Sequence, residues 1–322
     1  MESLGVKTMD LSEFYKGKRV FITGHTGFKG MWLSKILELW GAEATGFALP
    51  PTEDAAPVLS RVAPKIKSFY GDIRNFDELQ EAFSAAKPEI VFHLAAQPLV
   101  LEGYRNPVGT YSANVMGTVH LLECVRLAKS VRSVLNITTD KVYDNLEWCW
   151  GYRETDLLDG KDPYANSKSC SELVTHSSRR SFFGDGSPAI STARAGNVIG
   201  GGDFAADRIV PDCVRAAYKG EAITLRHPQS VRPYQHVLEP LAAYLLLAAK
   251  QYENPNFSGA YNIGPSAEDC VTTEEIASLF CKKWGEGLRY ETVTVNDSKE
   301  SNFLGSVTNS MGLILCFLVK AR

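Results

Sequence analysis

The chain has 322 residues, a formal net charge of −3 and hydrophobic residues at 44% of its positions. These values are typical of a globular protein with one large domain or two modest ones. They exclude an electrostatic basis for nucleic-acid binding, and the polar N-terminal stretch does not resemble a signal peptide. The longest apolar run near the C-terminus, Leu313–Val319, is too short to span a bilayer, so we expect no membrane partner. Seven scattered cysteines without a C-x-x-C pair predict reduced thiols, a cytoplasmic protein and no metal site.

The first predicted strand, Val20–Thr23, runs into glycines at G-x-x-G-x-x-G spacing, Gly24, Gly27 and Gly30. A helical pattern, Phe28–Trp40, follows at once. At such a turn the free backbone N–H groups and the positive end of the helix dipole face one point. Glycine also lets the backbone approach a pyrophosphate closely. The motif therefore predicts a dinucleotide-binding turn, although glycines at a strand end can also be ordinary turn residues.

Strands and helices alternate through the first half of the chain, and the strands are continuous apolar runs. This pattern predicts an α/β fold with a Rossmann-type, doubly wound parallel sheet. Ligands of such sheets bind beyond the carboxyl ends of the strands. Gly24, Asp72, Ala95 and Thr138–Lys141 all follow predicted strands and should meet at that edge. The further strands are predicted at Ala44–Phe47, Ile66–Tyr70, Ile90–Leu94 and Val134–Thr138, and the helices at Phe76–Ser84 and Ala113–Ala128.

Beyond Ser191 the alternation gives way to short elements and to loops rich in glycine, proline and arginine. We expect here a smaller lobe that closes over the sheet edge and holds the substrate. The helix predicted at Pro240–Lys250 should return to the first lobe. The predicted boundaries are residues 1–193 and 235–262 for the dinucleotide-binding domain, and residues 194–234 and 263–322 for the substrate-binding lobe.

Tyr164 and Lys168 are spaced four residues apart and share one face if this segment is helical. A nearby ammonium favours the phenolate, so we expect the pKa of Tyr164 to fall from about 10 toward the working range. Tyr164 is then a candidate base that takes a proton from a substrate hydroxyl while a hydride leaves the same carbon. Because Y-x-x-x-K is common by chance, a Tyr/Lys pair on a solvated helix face is the alternative.

Taken together, these motifs resemble the extended short-chain dehydrogenase/reductase family. The glycine-rich turn, Asp72, Thr139 and the Tyr164/Lys168 pair carry the resemblance, which extends over residues 15–304. The later segments resemble in particular the nucleotide-sugar 4,6-dehydratases that act on CDP-glucose. The segments that carry it are residues 23–30, 93–100, 114–118, 139–145, 150–154, 162–164, 194–203 and 232–240.

The resemblance implies an NAD-dependent lyase of deoxysugar biosynthesis, as for O-antigen lipopolysaccharide, that converts CDP-glucose to CDP-4-keto-6-deoxyglucose. Hydride would leave C4 and return to C6, with loss of water. Tyr164 would take the 4-hydroxyl proton and Asp140 would protonate the leaving C6 hydroxyl. Lys141 stands where related dTDP-sugar dehydratases have the glutamate that acts as C5 base, and a lysine needs a lowered pKa for that role. Without the resemblance, a salt bridge between Asp140 and Lys141 is the simpler interpretation.

The remaining site residues are expected from the same resemblance. A guanidinium fork fits phosphate oxygens, so Arg232 is expected on the nucleotide diphosphate, with Asn197 beside it. Arg194, Arg208 and Arg226 are lesser candidates, and surface charge is the default interpretation for each. The expected catalytic residues are Thr139, Asp140, Lys141, Tyr164 and Lys168; the NAD-binding residues are Gly24, Thr26, Gly27, Phe28, Gly30, Asp72, Ile73, Ala95, Ala96, Asn114, Tyr164 and Lys168; the substrate-binding residues are Gln97, Asn197, Arg208, Arg226 and Arg232.

Some features of the chain depart from the family pattern. Leu101 stands where arginine is expected, Tyr234 replaces a tryptophan, and an unrelated apolar sequence begins at Gly305. Glu53 and Asp54 follow the second strand, and carboxylates there would repel the 2′-phosphate of NADP, which favours NAD.

Two other functions stay open at this point. A nucleotide-sugar 4-epimerase shares the fold and would need neither Asp140 nor Lys141. An inactive NAD-binding protein is suggested by the unusual C-terminal sequence. The family resemblance also implies a homo-oligomer, with an interface built from the helices at Ala113–Ala128 and Tyr164–Ser181, whose apolar faces could equally be core.

Overall fold

The computed structural model describes residues 9–51, 64–148, 150–184, 188–266, 269–285 and 287–293. Several predictions concern residues outside these ranges. They are the charge pattern at Glu53 and Asp54, the state of Cys149 and Cys316, and the sequence from Gly305 onward.

The described residues form strands and helices that alternate along the first two thirds of the chain. The strands are β1 Arg19–Thr23, β2 Glu43–Ala48, β3 Lys67–Tyr70, β4 Ile90–His93, β5 Ser133–Thr138, β6 Ala189–Ala195, β7 Val198–Ile199, β8 Ile223–Leu225, β9 Val231–Pro233, β10 Gln235–His236, β11 Ala260–Ile263, β12 Cys270–Thr272 and β13 Tyr290–Thr292. The helices are α1 Leu11–Tyr15, α2 Phe28–Leu39, α3 Phe76–Ala86, α4 Val100–Arg105, α5 Pro107–Tyr111, α6 Gly117–Leu127, α7 Pro163–Phe182, α8 Ile209–Lys219, α9 Leu238–Glu253 and α10 Thr273–Trp284.

A seven-stranded sheet with the order β11-β6-β5-β4-β1-β2-β3 lies at the centre, and all of its strand pairs are parallel. The chain runs outward from β1 to β3 and then crosses back to β4 on the other side of β1. This reversal opens a crevice at the carboxyl ends of β1 and β4, the position where doubly wound sheets bind ligands. The predicted Rossmann-type fold is confirmed.

Both faces of the sheet are covered, because successive residues of one strand point to opposite sides. In β1, Val20 and Ile22 pack into the layer that contains α2 and α9, whereas Phe21 packs against Phe83 on the α3 side. The helix predicted at Pro240–Lys250 is confirmed as α9. Most of its residues between Pro240 and Gln251 are buried, and it lies in the first of these layers.

The strands predicted in the first half of the chain are all present, with ends within one residue of the prediction. The helix predicted from Ala113 differs at its start, because Ser112–Met116 forms a π turn before α6. The side chain of Asn114 in this turn bonds to the backbone of Gln97, and Gly117 packs against Ile73. π turns of this kind often occur at functional sites.

Smaller elements follow β6. They include three two-stranded pairs, β7 with β10, β9 with β12 and β8 with β13. The pair of β8 and β13 packs against α8 and α10. These smaller elements position the loops that face the sheet edge. Among the described helices, none combines the length and the hydropathy needed to cross a membrane.

Candidate active site

The glycine-rich turn has the geometry of a pyrophosphate cradle. Gly24 has φ +76°, and a Cβ added there would lie 2.7 Å from the backbone N of Ala95. A Cβ on Gly30 would collide with the carbonyl of Gly24. Gly27 is the N-cap of α2 and offers no side-chain hydrogen bond, which leaves the first N–H groups of the helix for a ligand. The residues present therefore fit a dinucleotide.

Asn114 and Gln97 bond to the protein itself. The Asn114 amide accepts from the Gln97 N–H at 2.8 Å and donates to Ser167 Oγ at 2.8 Å. The Gln97 side chain donates to Thr110 Oγ1 at 2.8 Å and accepts from the Leu99 N–H at 2.5 Å. These bonds hold the chain after β4 against the start of α7.

The Asp72 carboxylate is also bonded to a neighbouring residue of the chain. Both of its oxygens accept from Arg74 Nε at 2.9 Å. The hydrogen bond to Arg74 lowers the pKa of Asp72. The carboxylate is therefore ionised and fixed at the end of β3.

A cavity of about 640 Å³ opens at the carboxyl end of the sheet. It brings together residues that are far apart in sequence, as expected for this edge of a parallel sheet. Lys168 and Gln97 do not line it, and neither do the predicted NAD-binding residues other than Phe28 and Tyr164. Of the predicted site residues, it is lined by Phe28, Thr139, Asp140, Lys141, Tyr164, Asn197, Arg208, Arg226 and Arg232.

Asp140 is buried in the wall of this cavity, in the turn after β5. The Thr139 hydroxyl donates to its Oδ1 at 3.0 Å, while Oδ2 has no hydrogen-bond partner within the described ranges. Burial raises the pKa of Asp140, against the charges of Lys141 and Arg232, which lower it. Burial thus favours the protonated form of this carboxyl, which is the form that a general acid needs. A hydrogen-bonded salt bridge with Lys141, the alternative considered above, is not found among the described residues.

Tyr164 lies in the first turn of α7. Asp162 caps this helix by accepting from the Ala165 N–H at 2.9 Å, and Pro163 occupies the first helical position. These residues fix where the helix begins and hence where the phenol points. The phenol faces the cavity beside Thr139.

The predicted effect of Lys168 on Tyr164 was wrong for the protein without ligands. Burial raises the pKa of Tyr164 to about 12, although a hydrogen bond with Thr139 and the charge of Arg208 lower it. Burial also lowers the pKa of Lys168 to about 8, and its Nζ donates to the Ile137 carbonyl at 3.2 Å. Desolvation therefore dominates both pKa values, and each group is shifted toward its neutral form.

The three candidate arginines differ in their surroundings. Arg232 is 7% exposed, and its Nη1 donates to the Val231 carbonyl at 2.8 Å. Arg208 pairs with Asp203 at 2.9 Å and Arg226 with Asp207 at 3.1 Å. All three arginines line the cavity, and so do the two aspartates that pair with Arg208 and Arg226.

Lys29 is a cavity residue that sequence reasoning missed. Its Nζ lies 3.4 Å from the Tyr244 hydroxyl. Burial, with the charges of Lys168 and Arg208, lowers the pKa of Lys29 to about 7. Its position immediately before Gly30, in the first turn of α2, was the feature of the sequence that could have indicated it.

The model of the NAD dependent epimerase/dehydratase family matches residues 20–264. The chain belongs to this family. The resemblance read from the sequence is thus confirmed, and NAD is the cofactor that the family's description gives.

Individual relatives agree with this assignment. The chain is 47% identical to a CDP-glucose 4,6-dehydratase of Salmonella typhimurium over 298 residues, which are 90% of this chain and 83% of that protein. An epimerase of Methanothermobacter thermautotrophicus shares the fold with a TM-score of 0.79 at 21% identity, over 92% of this chain and 86% of that one. A dTDP-glucose 4,6-dehydratase of Bacillus anthracis, solved with NAD, has a TM-score of 0.73 at 19% identity. The match covers 90% of this chain and 87% of that one.

Proposed function

We propose that this protein is an NAD-dependent lyase that converts CDP-glucose to CDP-4-keto-6-deoxyglucose. The observation that carries the proposal is the cavity at the sheet edge, in which Tyr164, Asp140 and Lys141 face a wall of arginines. The Salmonella relative with its 47% identity supports the choice of substrate. We further propose that this product is a precursor of deoxysugars and that it is formed in the cytoplasm.

The glycine turn and the N-terminus of α2 would hold NAD, with Ala95 and Ile73 near its path. When bound, NAD supplies a hydride acceptor at C4 and a hydride donor at C6 of the sugar. The residues Gly24 and Gly30 serve this role by leaving no Cβ in the cradle. Thr26, Gly27, Phe28, Asp72, Ala96 and Asn114 complete the proposed set.

Tyr164 takes the proton of the sugar 4-hydroxyl as the C4–H bond breaks. Its high pKa in the enclosed site makes the phenolate a strong base once formed. Thr139 donates to the phenolate, and the charge of Arg208 favours it. Together these groups replace the water that burial removes.

The elimination step uses the turn after β5. The 4-keto group acidifies the C5 hydrogen, and Lys141 takes that proton. The C6–O bond breaks as Asp140 gives its proton to the leaving oxygen, so that water departs. The buried carboxyl, with one oxygen free of partners in the described structure, supports this acid role.

The arginines of the cavity are proposed to hold the rest of the substrate. Arg232 and Asn197 are proposed on the diphosphate, with Arg208 and Arg226 on the flanking side of the cavity. Asn197 has φ +28°, a strained backbone of the kind that is retained at ligand sites. Gln97 is proposed to act indirectly, since its amide is bonded to Thr110 and Leu99.

We also propose a homo-oligomer. The helices α6 and α7 pack side by side and still expose large apolar side chains, with Leu127 at 50%, Leu173 at 53% and Phe182 at 63% exposure. Such neighbouring apolar residues are typical of an interface. Light scattering coupled to gel filtration tests this, and a monomer at micromolar concentration would contradict it.

The decisive experiment incubates the purified protein with NAD and, separately, CDP-, UDP- and dTDP-glucose. Mass spectrometry should show loss of one water from CDP-glucose. A product of unchanged mass indicates the 4-epimerase instead. No product, together with retained NAD binding by calorimetry, indicates an inactive NAD-binding protein.

A further inference from the structure

Glu172 is a buried carboxylate that the proposed mechanism does not use. It lies on α7, one turn beyond Lys168, and its side chain is 3% exposed. Buried carboxylates are rare unless they are paired. Its partner is Arg194 of β6, whose Nη2 donates to Oε2 of Glu172 at 2.9 Å.

Both oxygens of Glu172 also bind strand residues. Oε1 accepts from the Thr138 hydroxyl at 2.5 Å, and Oε2 accepts from the Thr192 hydroxyl at 2.7 Å. Thr138 is the last residue of β5 and directly precedes Thr139 and Asp140. One carboxylate therefore connects the helix that carries Tyr164 and Lys168 to β5, the strand that leads into Asp140.

Arg194 extends this network to the other end of the turn Thr139–Lys141, which carries the proposed acid and base. Its Nη1 donates to the Tyr143 hydroxyl at 2.7 Å and to the Glu154 carbonyl at 3.1 Å. The Tyr143 hydroxyl donates in turn to Asn262 Oδ1 at 2.6 Å. Since Thr138 precedes the turn and Tyr143 follows it, the Glu172–Arg194 pair holds the turn at both ends.

We infer that Glu172 is a positioning residue for the reaction, which fixes the turn Thr139–Lys141 relative to Tyr164 and supplies the counter-charge of Lys168. The inference rests on the proposed function. Stability alone does not account for such a pair, because buried ion pairs can often be replaced by apolar residues without loss of stability. A displacement of about 1 Å in a catalytic group, in contrast, can cost roughly a hundredfold in rate.

The counter-charge follows from what surrounds Lys168. The titratable groups around it are Tyr164 and Glu172 on its own helix, Lys29 of α2 and His93 of β4. Burial lowers the pKa of His93 to about 3, so this ring is neutral, and Lys29 is of the same sign as Lys168. Within the described part of the chain, Glu172 alone raises the pKa of Lys168. Without it the ammonium loses its proton at lower pH.

The first test is Glu172→Gln, which keeps the shape and removes the charge. The kcat for CDP-glucose should fall about tenfold to a hundredfold. The KM values for CDP-glucose and for NAD should stay within about threefold of those of the wild type. The alkaline limb of the kcat profile should move to lower pH. Glu123→Gln is the matched control, because Glu123 pairs with Arg126 on the exposed face of α6 at 2.6 Å. It should leave all of these quantities unchanged.

The second test does not depend on turnover. Protein labelled with ¹³Cε-lysine is titrated by NMR without substrate, and the Lys168 signal is assigned by its loss in Lys168→Arg. In Glu172→Gln its midpoint should fall by about 1 pH unit or more. If wild-type protein does not dehydrate CDP-glucose, the proposed function fails, while this titration still decides the inference.

A third variant covers the case in which Glu172→Gln does not fold. Glu172→Gln/Arg194→Met removes both charges and leaves no unpaired guanidinium in the core. A folded double variant should show the same loss of kcat. Wild-type kcat in either folded variant, or an unmoved Lys168 midpoint in Glu172→Gln, overturns the inference.

Discussion

The α-carbon of Gly196 packs directly against the carboxylate of Asp140, in space that any Cβ would occupy. Gly196 follows the last residue of β6, and Asp140 follows β5, so two neighbouring strand ends set this contact. The Asp140 carboxyl is thus held on one side by the backbone of Gly196 and on the other by the Thr139 hydroxyl.

Gly196→Ala should displace Asp140 and lower kcat for dehydration by about a hundredfold, since a shift of about 1 Å is enough. NAD affinity should stay within about threefold, because the cradle lies elsewhere. Gly201→Ala is the control, as its Cβ would meet nothing within 4 Å. Equal activity of both variants contradicts this role of the contact.

Asp140→Asn should abolish dehydration while leaving the fold as stable or more stable. Burial raises the folded-state pKa of Asp140 above the unfolded value of about 3.9, so this group makes stability fall as pH rises from about 4. Asparagine removes that loss. The Tm of the variant should equal that of the wild type below about pH 4 and exceed it at neutral pH. Scanning calorimetry across this range measures it, and a lower Tm at neutral pH would show that the ionised form is stabilised.

Tyr164→Phe should reduce turnover by about a hundredfold or more, because the base for the 4-hydroxyl is lost. NAD binding, measured by calorimetry, should be nearly intact, since the glycine cradle supplies it. Tyr218→Phe, on the exposed face of α8, serves as the control. Turnover of Tyr164→Phe within tenfold of the wild type would be incompatible with the base role.

Arg232→Ala should raise the KM for CDP-glucose about tenfold to a hundredfold, with a smaller change in kcat. A charge-assisted contact to a non-reacting diphosphate contributes roughly 1.5–3 kcal/mol in both ground and transition states. Arg226→Ala should have the smaller effect, because this side chain is 40% exposed and pairs with Asp207. A change in kcat alone for Arg232→Ala would instead assign it to the chemistry.

Lys141→Ala should still oxidise C4 but stall before water is lost. Absorbance of the reduced cofactor should then accumulate on the enzyme, and deuterium uptake at C5 from heavy water should stop. Rapid-scan spectroscopy and mass spectrometry follow these two steps separately. C5 exchange at the wild-type rate in this variant removes Lys141 from the role of base.

The sequence by itself determined the parallel sheet, the glycine cradle and the residues that follow each strand. These features depend on local patterns: apolar runs at strand length, glycines at a strand end, and the Tyr164/Lys168 spacing. Because parallel strands end at one edge, the order of elements along the chain was enough to predict where the site lies.

Only the tertiary structure decided how the site residues are charged and held. Tyr164 and Lys168 lie on one helix, yet burial raises the pKa of Tyr164 where the sequence predicted that it would fall. The contacts of Gly196 with Asp140 and of Glu172 with Thr138 join different elements. Desolvation and contacts between distant segments depend on packing in three dimensions, which no spacing along the chain records.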